Sequence, residues 1–203
     1  AMELESTATT SMFGEKPSIV LERTLFYPEG GGQLGDVGTL SVDGRALAVL
    51  DTQIDDAGVI HHLVAEPVAG AAKGTIDVMR RRDHMAQHTA QHALSRALAD
   101  FAKAETVSSR LGATTCTIDV QRPGIPDAEL HRAEDLVNDL IAADVEVRAL
   151  YPTAEELPTL KLRKQPKVTE GTIRIIDIAD FDLTPCGGTH CTRTGQIGRS
   201  EER

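Results

Sequence analysis

The spacing of apolar residues changes once along this 203-residue chain, near residue 79, and that change constrains the fold more than any other feature. Before it, Ile19–Leu25, Val37–Val42, Arg45–Asp51 and Val59–Val64 are short stretches that alternate in polarity or are rich in β-branched residues. Turn residues separate them at Glu29–Gly32, Asp43–Gly44 and Asp55–Gly58. Asp-Gly between two such runs signals a hairpin, because a tight two-residue turn needs positive φ. Thr75–Met79 would be the last strand, and four or more strands at this spacing predict a small β-barrel domain over 1–78.

Beyond residue 79 the period lengthens. Asp83 reads as the N-cap of a long helix to about Ala104, whose apolar face is Ala86, Ala90, Ala93, Leu94, Ala97, Leu98 and Phe101. Pro126–Ala143 predicts a second amphipathic helix. Ser108–Leu111 and Cys116–Val120 read as a hairpin, Val145–Tyr151 and Thr172–Ile178 as strands, and Thr153–Leu157 as a short helix closed by Pro158. The expectation for 79–203 is therefore an α+β domain of antiparallel sheet and two long helices, not a parallel βαβ sheet.

Composition narrows the function classes. A formal net charge of −10 argues against a general nucleic-acid binder. The charge is uneven, however: −8 falls on 1–78 and only −2 on 79–203. Lys161, Arg163, Lys164, Lys167 and Arg174 face Glu170 alone over 158–174, and Arg80–Arg82 form a second basic cluster. Either could meet phosphates or simply be solvated surface. No apolar run is long enough for a membrane span, no secretory signal is evident, and Ala1 before Met2 reads as a cloning scar. Three cysteines are too few for a disulfide scaffold, which suggests a cytoplasmic protein with cysteines as metal ligands or core fillers.

His84, His88 and His92 are spaced four apart and share one helix face. Two of them can converge on one metal but all three cannot, since eight residues rise about 12 Å. The pair is His84/His88 or His88/His92. Cys186-Gly187-Gly188-Thr189-His190 is a second candidate, a Cys and a His four apart around glycines that permit a sharp turn. Together the two motifs offer four soft or borderline ligands, which suits zinc.

His88-Thr89-Ala90-Gln91-His92 and Cys186-Gly187-Gly188-Thr189-His190 resemble the two zinc motifs of the alanyl-tRNA editing domain. That domain is found in alanyl-tRNA synthetase and in free-standing AlaX-type editing proteins, with a relative in threonyl-tRNA synthetase. Phe26-Tyr27-Pro28-Glu29-Gly30-Gly31-Gly32-Gln33-Leu34-Gly35-Asp36 is similar to the glycine-rich signature of the synthetase and the medium and longer AlaX proteins. The resemblance covers roughly residues 20 to 198. It implies the barrel followed by the editing domain, and one zinc per chain on His88, His92, Cys186 and His190, with His84 outside. Two departures stand out. Ser109 occupies a stretch where synthetase editing domains often place Gln, and Arg199–Arg203 follows Gly198 where the family usually has a further apolar strand.

The activity implied is hydrolysis of the ester in tRNA(Ala) mischarged with serine and possibly glycine. The partner implied is the tRNA(Ala) acceptor end with its attached amino acid. The absence of any stretch able to house ATP-binding motifs favours a free-standing deacylase over a synthetase, with an editing-domain fragment of an alanyl-tRNA synthetase as an alternative. A zinc-stabilised tRNA-binding module without hydrolysis is the non-enzyme alternative. Four protein ligands make a closed site, so the ion either gains a fifth ligand with substrate, loses one, or only organises the pocket. Thr89, beside a ligand, is the candidate to bond a serine hydroxyl, or else it bonds its own i−4 carbonyl. Gly30, Gly31, Gly32 and Gln33 are candidates to meet the tRNA 3′ end, or else form a structural turn between strands, and Lys161, Arg163 and Lys164 are candidates to meet its phosphates. Asp182 is a candidate to orient a ligand. Cys116, mid-strand, reads as a core residue, and Cys191, which could replace a ligand, is set aside because the family pattern favours Cys186.

Overall fold

A stretch too polar to read as a strand forms the spine of the first sheet. In the computed structural model, which describes residues 2–166 and 171–198, β1 (Glu3–Phe13) is an eleven-residue strand in which only Ala8 is buried. Its Ser and Thr residues suit a pleated, half-exposed surface without supplying an apolar stripe. Its first half, Glu3–Ala8, pairs with β7 (Gly70–Ile76), and its second half, Ala8–Phe13, pairs with β2 (Lys16–Leu21). With β3 (Gly38–Val42), β4 (Arg45–Val49), β5 (Asp51–Ile54) and β6 (Ile60–Leu63), the antiparallel order is β4-β3-β7-β1-β2-β6-β5.

This order corrects the expected barrel. The sheet has two ends, β4 and β5, and is not closed by a ladder. Leu50 alone separates those two strands along the chain, so covalent continuity carries the backbone from one edge to the other in place of hydrogen bonds. Ile19, Phe26, Leu40, Val42, Val49 and Ile76 are among its core residues. Gly38 is required there, because a Cβ would lie 2.2 Å from the Thr75 carbonyl oxygen.

The chain forms two compact units, Ala1–Asp83 and His84–Arg203. Within the first, the glycine-rich segment is a braced turn. Gly30 and Gln33 exchange two backbone hydrogen bonds of 3.0 Å around Gly31 and Gly32, whose φ values are +59° and +88°. A two-residue turn with both central residues at positive φ is where glycine is needed. The Asp36 carboxylate accepts the Tyr27 N–H at 2.7 Å and both oxygens accept from Arg81, while Arg80 donates to the Gly35 carbonyl at 3.1 and 3.2 Å. Arg80 and Arg81 are thus internal braces of this loop. The helix that follows, α1 (Val78–Ala102), begins earlier than Asp83 because Asp77 Oδ1 accepts the N–H groups of Met79 and Arg80.

In the second unit α1 is followed by the hairpin β8 (Thr106–Leu111) and β9 (Cys116–Val120), then α2 (Asp127–Ala143), β10 (Val147–Leu150), β11 (Ile175–Ile178) and β12 (Asp182–Pro185). β10, β11 and β12 form an antiparallel sheet in that order. Fully buried alanines at 93, 97 and 102 on α1 join Ala133 and Val137 of α2 and Ile176 and Ile178 of β11 in one core. All four residues of β11 are buried, as its β-branched run requires. β12 lies at the sheet edge, where Asp and Pro hide it from a propensity reading. The mixed α+β class with antiparallel sheets and two helices is as expected. The expected helix at Thr153–Leu157 is replaced by a single 3-10 turn, Leu157–Thr159. No helix among the described residues is long and apolar enough to cross a membrane.

The Arg81–Asp36 pair is almost fully buried, at 12% and 1% side-chain exposure. Removing one partner leaves a buried charge unpaired, so Asp36→Ala should lower the unfolding free energy by about 3–5 kcal/mol. Urea denaturation followed by circular dichroism measures it.

Candidate metal centre

Two segments of the second unit supply the site. His88 and His92 lie one turn apart on α1, and Cys186 and His190 lie on the loop after β12. One ligand atom from each of the four falls within 4.8 Å of the others. Cys186 Sγ is 3.4 Å from His88 Nε2 and 3.4 Å from His190 Nε2. Bonds of about 2.0–2.3 Å in a tetrahedron put ligand atoms about 3.3–3.8 Å apart. Three imidazoles and one thiol at these separations fit a single zinc-type ion by geometry and by donor chemistry. His84 is buried but lies outside the cluster, so the spacing ambiguity resolves to His88/His92.

The loop is held from outside. Arg174 donates to the carbonyls of Cys186 and Gly188 at 2.8 and 2.7 Å, and Cys186 N–H returns to the Arg174 carbonyl at 3.1 Å. The Gly188 N–H points at Cys186 Sγ at 3.3 Å. Burial opposes a thiolate at Cys186, but hydrogen bonds from His190, His88 and His92 outweigh it and pull the thiol's pKa far below the usual range. Burial pushes His190 down, which keeps a neutral imidazole available as a ligand.

Each of two ligands meets a further partner through its other ring nitrogen. His190 Nδ1 lies 3.2 Å from Thr89 Oγ1. His92 Nδ1 lies 3.6 Å from Asp182 Oδ2, the residue the sequence offered to orient a ligand. Asp182 in turn accepts from Arg163 at 2.8 and 3.2 Å and from Thr184 Oγ1 at 2.8 Å.

These contacts revise several expectations. Thr89 is fully buried; its hydroxyl donates to the Met85 carbonyl at 2.8 Å and accepts the Cys191 N–H at 3.0 Å, besides meeting His190. Its proton and lone pairs are spent inside the protein rather than aimed at a ligand. Arg163 is a buried ion-pair partner with 5% side-chain exposure, not a surface cation. Lys164 donates to the Thr106 carbonyl at 2.5 Å, and Lys161 is exposed. Lys167 and Glu170 lie outside the described residues. In the first unit Gln33 is fully buried, while Gly31 and Gly32 are exposed and Gly30 partly so. Cys116 is exposed, with Sγ 3.2 Å from Gln87 Oε1, not a core residue. Cys191 is buried and outside the cluster. Sequence reasoning missed the grip of Arg174 and the N–H of Gly188, since neither leaves a signal in residue spacing.

Residues 2–84 match the family model of class II tRNA synthetases (A), and residues 173–200 match the threonyl and alanyl tRNA synthetase second additional domain. The alanine–tRNA ligase of Haloquadratum walsbyi is 34% identical over 89% of this chain and 20% of its own length. That of Methanobrevibacter smithii is 31% identical over 90% of the chain and 22% of its length. The alanyl-tRNA editing protein AlaX-L of Pyrococcus horikoshii is 35% identical over 91% of the chain and 46% of its length. The chain thus spans about a fifth of the ligases and just under half of the editing protein. The resemblance read from the three motifs holds over nine-tenths of the sequence: the chain is a homologue of alanyl-tRNA editing proteins and of a region of alanine–tRNA ligases.

One equivalent of metal per chain is expected by elemental analysis of the purified protein. His88→Ala should empty the site, whereas His84→Ala should leave the metal content unchanged.

Proposed function

We propose that this chain hydrolyses the ester bond of mischarged tRNA(Ala), releasing chiefly serine, with 1–78 as the glycine-rich domain and 79–203 as the editing domain. The observation that carries this reading is the convergence of His88, His92, Cys186 and His190 from motifs about a hundred residues apart, in a chain homologous to an alanyl-tRNA editing protein. A zinc ion held by these four residues would supply a Lewis acid beside the ester carbonyl. The chain's own residues then set its geometry. Thr89 keeps the His190 proton on Nδ1, so that Nε2 is left for the ion. Thr89 affects amino-acid choice through His190 instead of by touching serine. The exposed Gly31–Gly32 turn and Lys161 are the parts offered to the acceptor end and its phosphates, and Gln33 supports that turn from within.

Three outcomes test the proposal. The zinc-loaded protein should release serine from serine-charged tRNA(Ala) much faster than alanine from the correctly charged tRNA. One buried polar group left unpaired by alanine costs about 1–3 kcal/mol, or roughly 5- to 200-fold. Equal rates, or no hydrolysis with the site full, would sink the deacylase reading and favour a tRNA-binding module. Thr89→Val leaves N–H groups of His190 and Cys191 unpaired and should slow serine release within that same range, with Thr89→Ser restoring it. Filter binding should show tRNA affinity falling with salt, and Lys161→Glu should weaken binding and reduce the salt slope by about one.

A further inference from the structure

We infer that Arg163 is a positioning residue of the metal centre, holding the Asp182 carboxylate against the Nδ1 side of His92 and so fixing how His92 presents Nε2. The inference rests on the metal reading above and adds a layer to it.

Three observations support it. The first is burial: the side chains of Arg163, Asp182 and His92 are 5%, 0% and 4% exposed. A guanidinium at that depth is placed to serve an internal partner, and it cannot neutralise a phosphate on the surface without leaving a buried carboxylate unpaired.

The second is the shape of the grip. Arg163 Nε donates to Oδ1 at 2.8 Å and its NH2 group donates to Oδ2 at 3.2 Å, a two-point fork that fixes the carboxylate plane. Thr184 Oγ1 donates to Oδ2 at 2.8 Å from the same strand, β12. The Arg163 N–H bonds the Leu183 carbonyl at 2.8 Å, so backbone and side chain lock the same pair of segments. Lysine would replace the fork by a point charge and release the plane.

The third is the ligand. His92 Nδ1 is buried and makes no hydrogen bond, and Asp182 Oδ2 stands 3.6 Å away. An imidazole bound through Nε2 carries its proton on Nδ1, and that buried proton needs an acceptor. A shift of under 1 Å closes the gap to an ordinary hydrogen bond. Asp182 can wait at that position only because Arg163 and Thr184 hold it there.

The test uses the full chain: zinc affinity by competition with a chromophoric chelator, and the visible spectrum after cobalt(II) substitution. Arg163→Met should weaken zinc binding roughly 10- to 100-fold and shift the cobalt bands. Arg163→Lys should recover part of the affinity, and Thr184→Val should lose several-fold. Unchanged affinity and spectrum in folded Arg163→Met, whether or not tRNA binding falls, would overturn the inference. If circular dichroism shows that Arg163→Met does not fold, Thr184→Val decides, and wild-type affinity there overturns it equally. A wild-type chain that binds no zinc would instead defeat the metal reading, so the two failures are distinguishable.

Discussion

Three imidazoles and a thiol packed at ligand distance are a poor way to hold a protein together unless something binds them. Buried polar groups cost free energy when their partners are incomplete. Here the cluster sits where α1 meets the loop after β12, and these segments are about a hundred residues apart in sequence. An ion shared by all four would join them directly, and its binding energy would count as folding energy of the second unit. The small-residue face of α1 leaves room for this. Ala93, Ala97 and Leu98 of α1 pack into the core on the helix that also carries His88 and His92.

Around that centre the protein spends its polar residues on orientation. Thr89 fixes His190, Asp182 faces His92, Gly188 offers its N–H to Cys186, and Arg174 clamps the loop that carries both Cys186 and His190. None of these residues adds a ligand. Each restricts a rotation that the ligand would otherwise have, and a pre-oriented ligand loses less freedom when an ion arrives.

What the sequence made legible follows from the range of each interaction. Helices and hairpins are local, so α2 and the β8–β9 hairpin could be read within a residue or two. The two candidate ligand motifs were legible because their spacing along a helix and around two glycines is also local, but spacing left His84/His88 open beside His88/His92, and the family resemblance made that choice. Sheet closure is not local, and the alternation that revealed β3, β4 and β6 says nothing about which strands end the sheet. β1 escaped because its Ser and Thr residues carry no apolar stripe, and β12 because Asp182 and Pro185 sit on an edge. Thr89 and Arg163 were legible as chemistry but not as geometry: a hydroxyl beside a ligand and a cation in a basic run look available until their buried partners are in place.

The same point changes how charge should be read in this molecule. Arg80 and Arg81 brace the glycine-rich turn, Arg163 neutralises Asp182, Arg174 holds backbone carbonyls and Lys164 caps one. These five cations, which a composition scan assigns to a phosphate surface, are committed to internal acceptors, whereas Lys161 is exposed. With these five engaged, the phosphate contacts of the proposed tRNA reading fall to cations that remain exposed, such as Lys161, and those set its salt dependence.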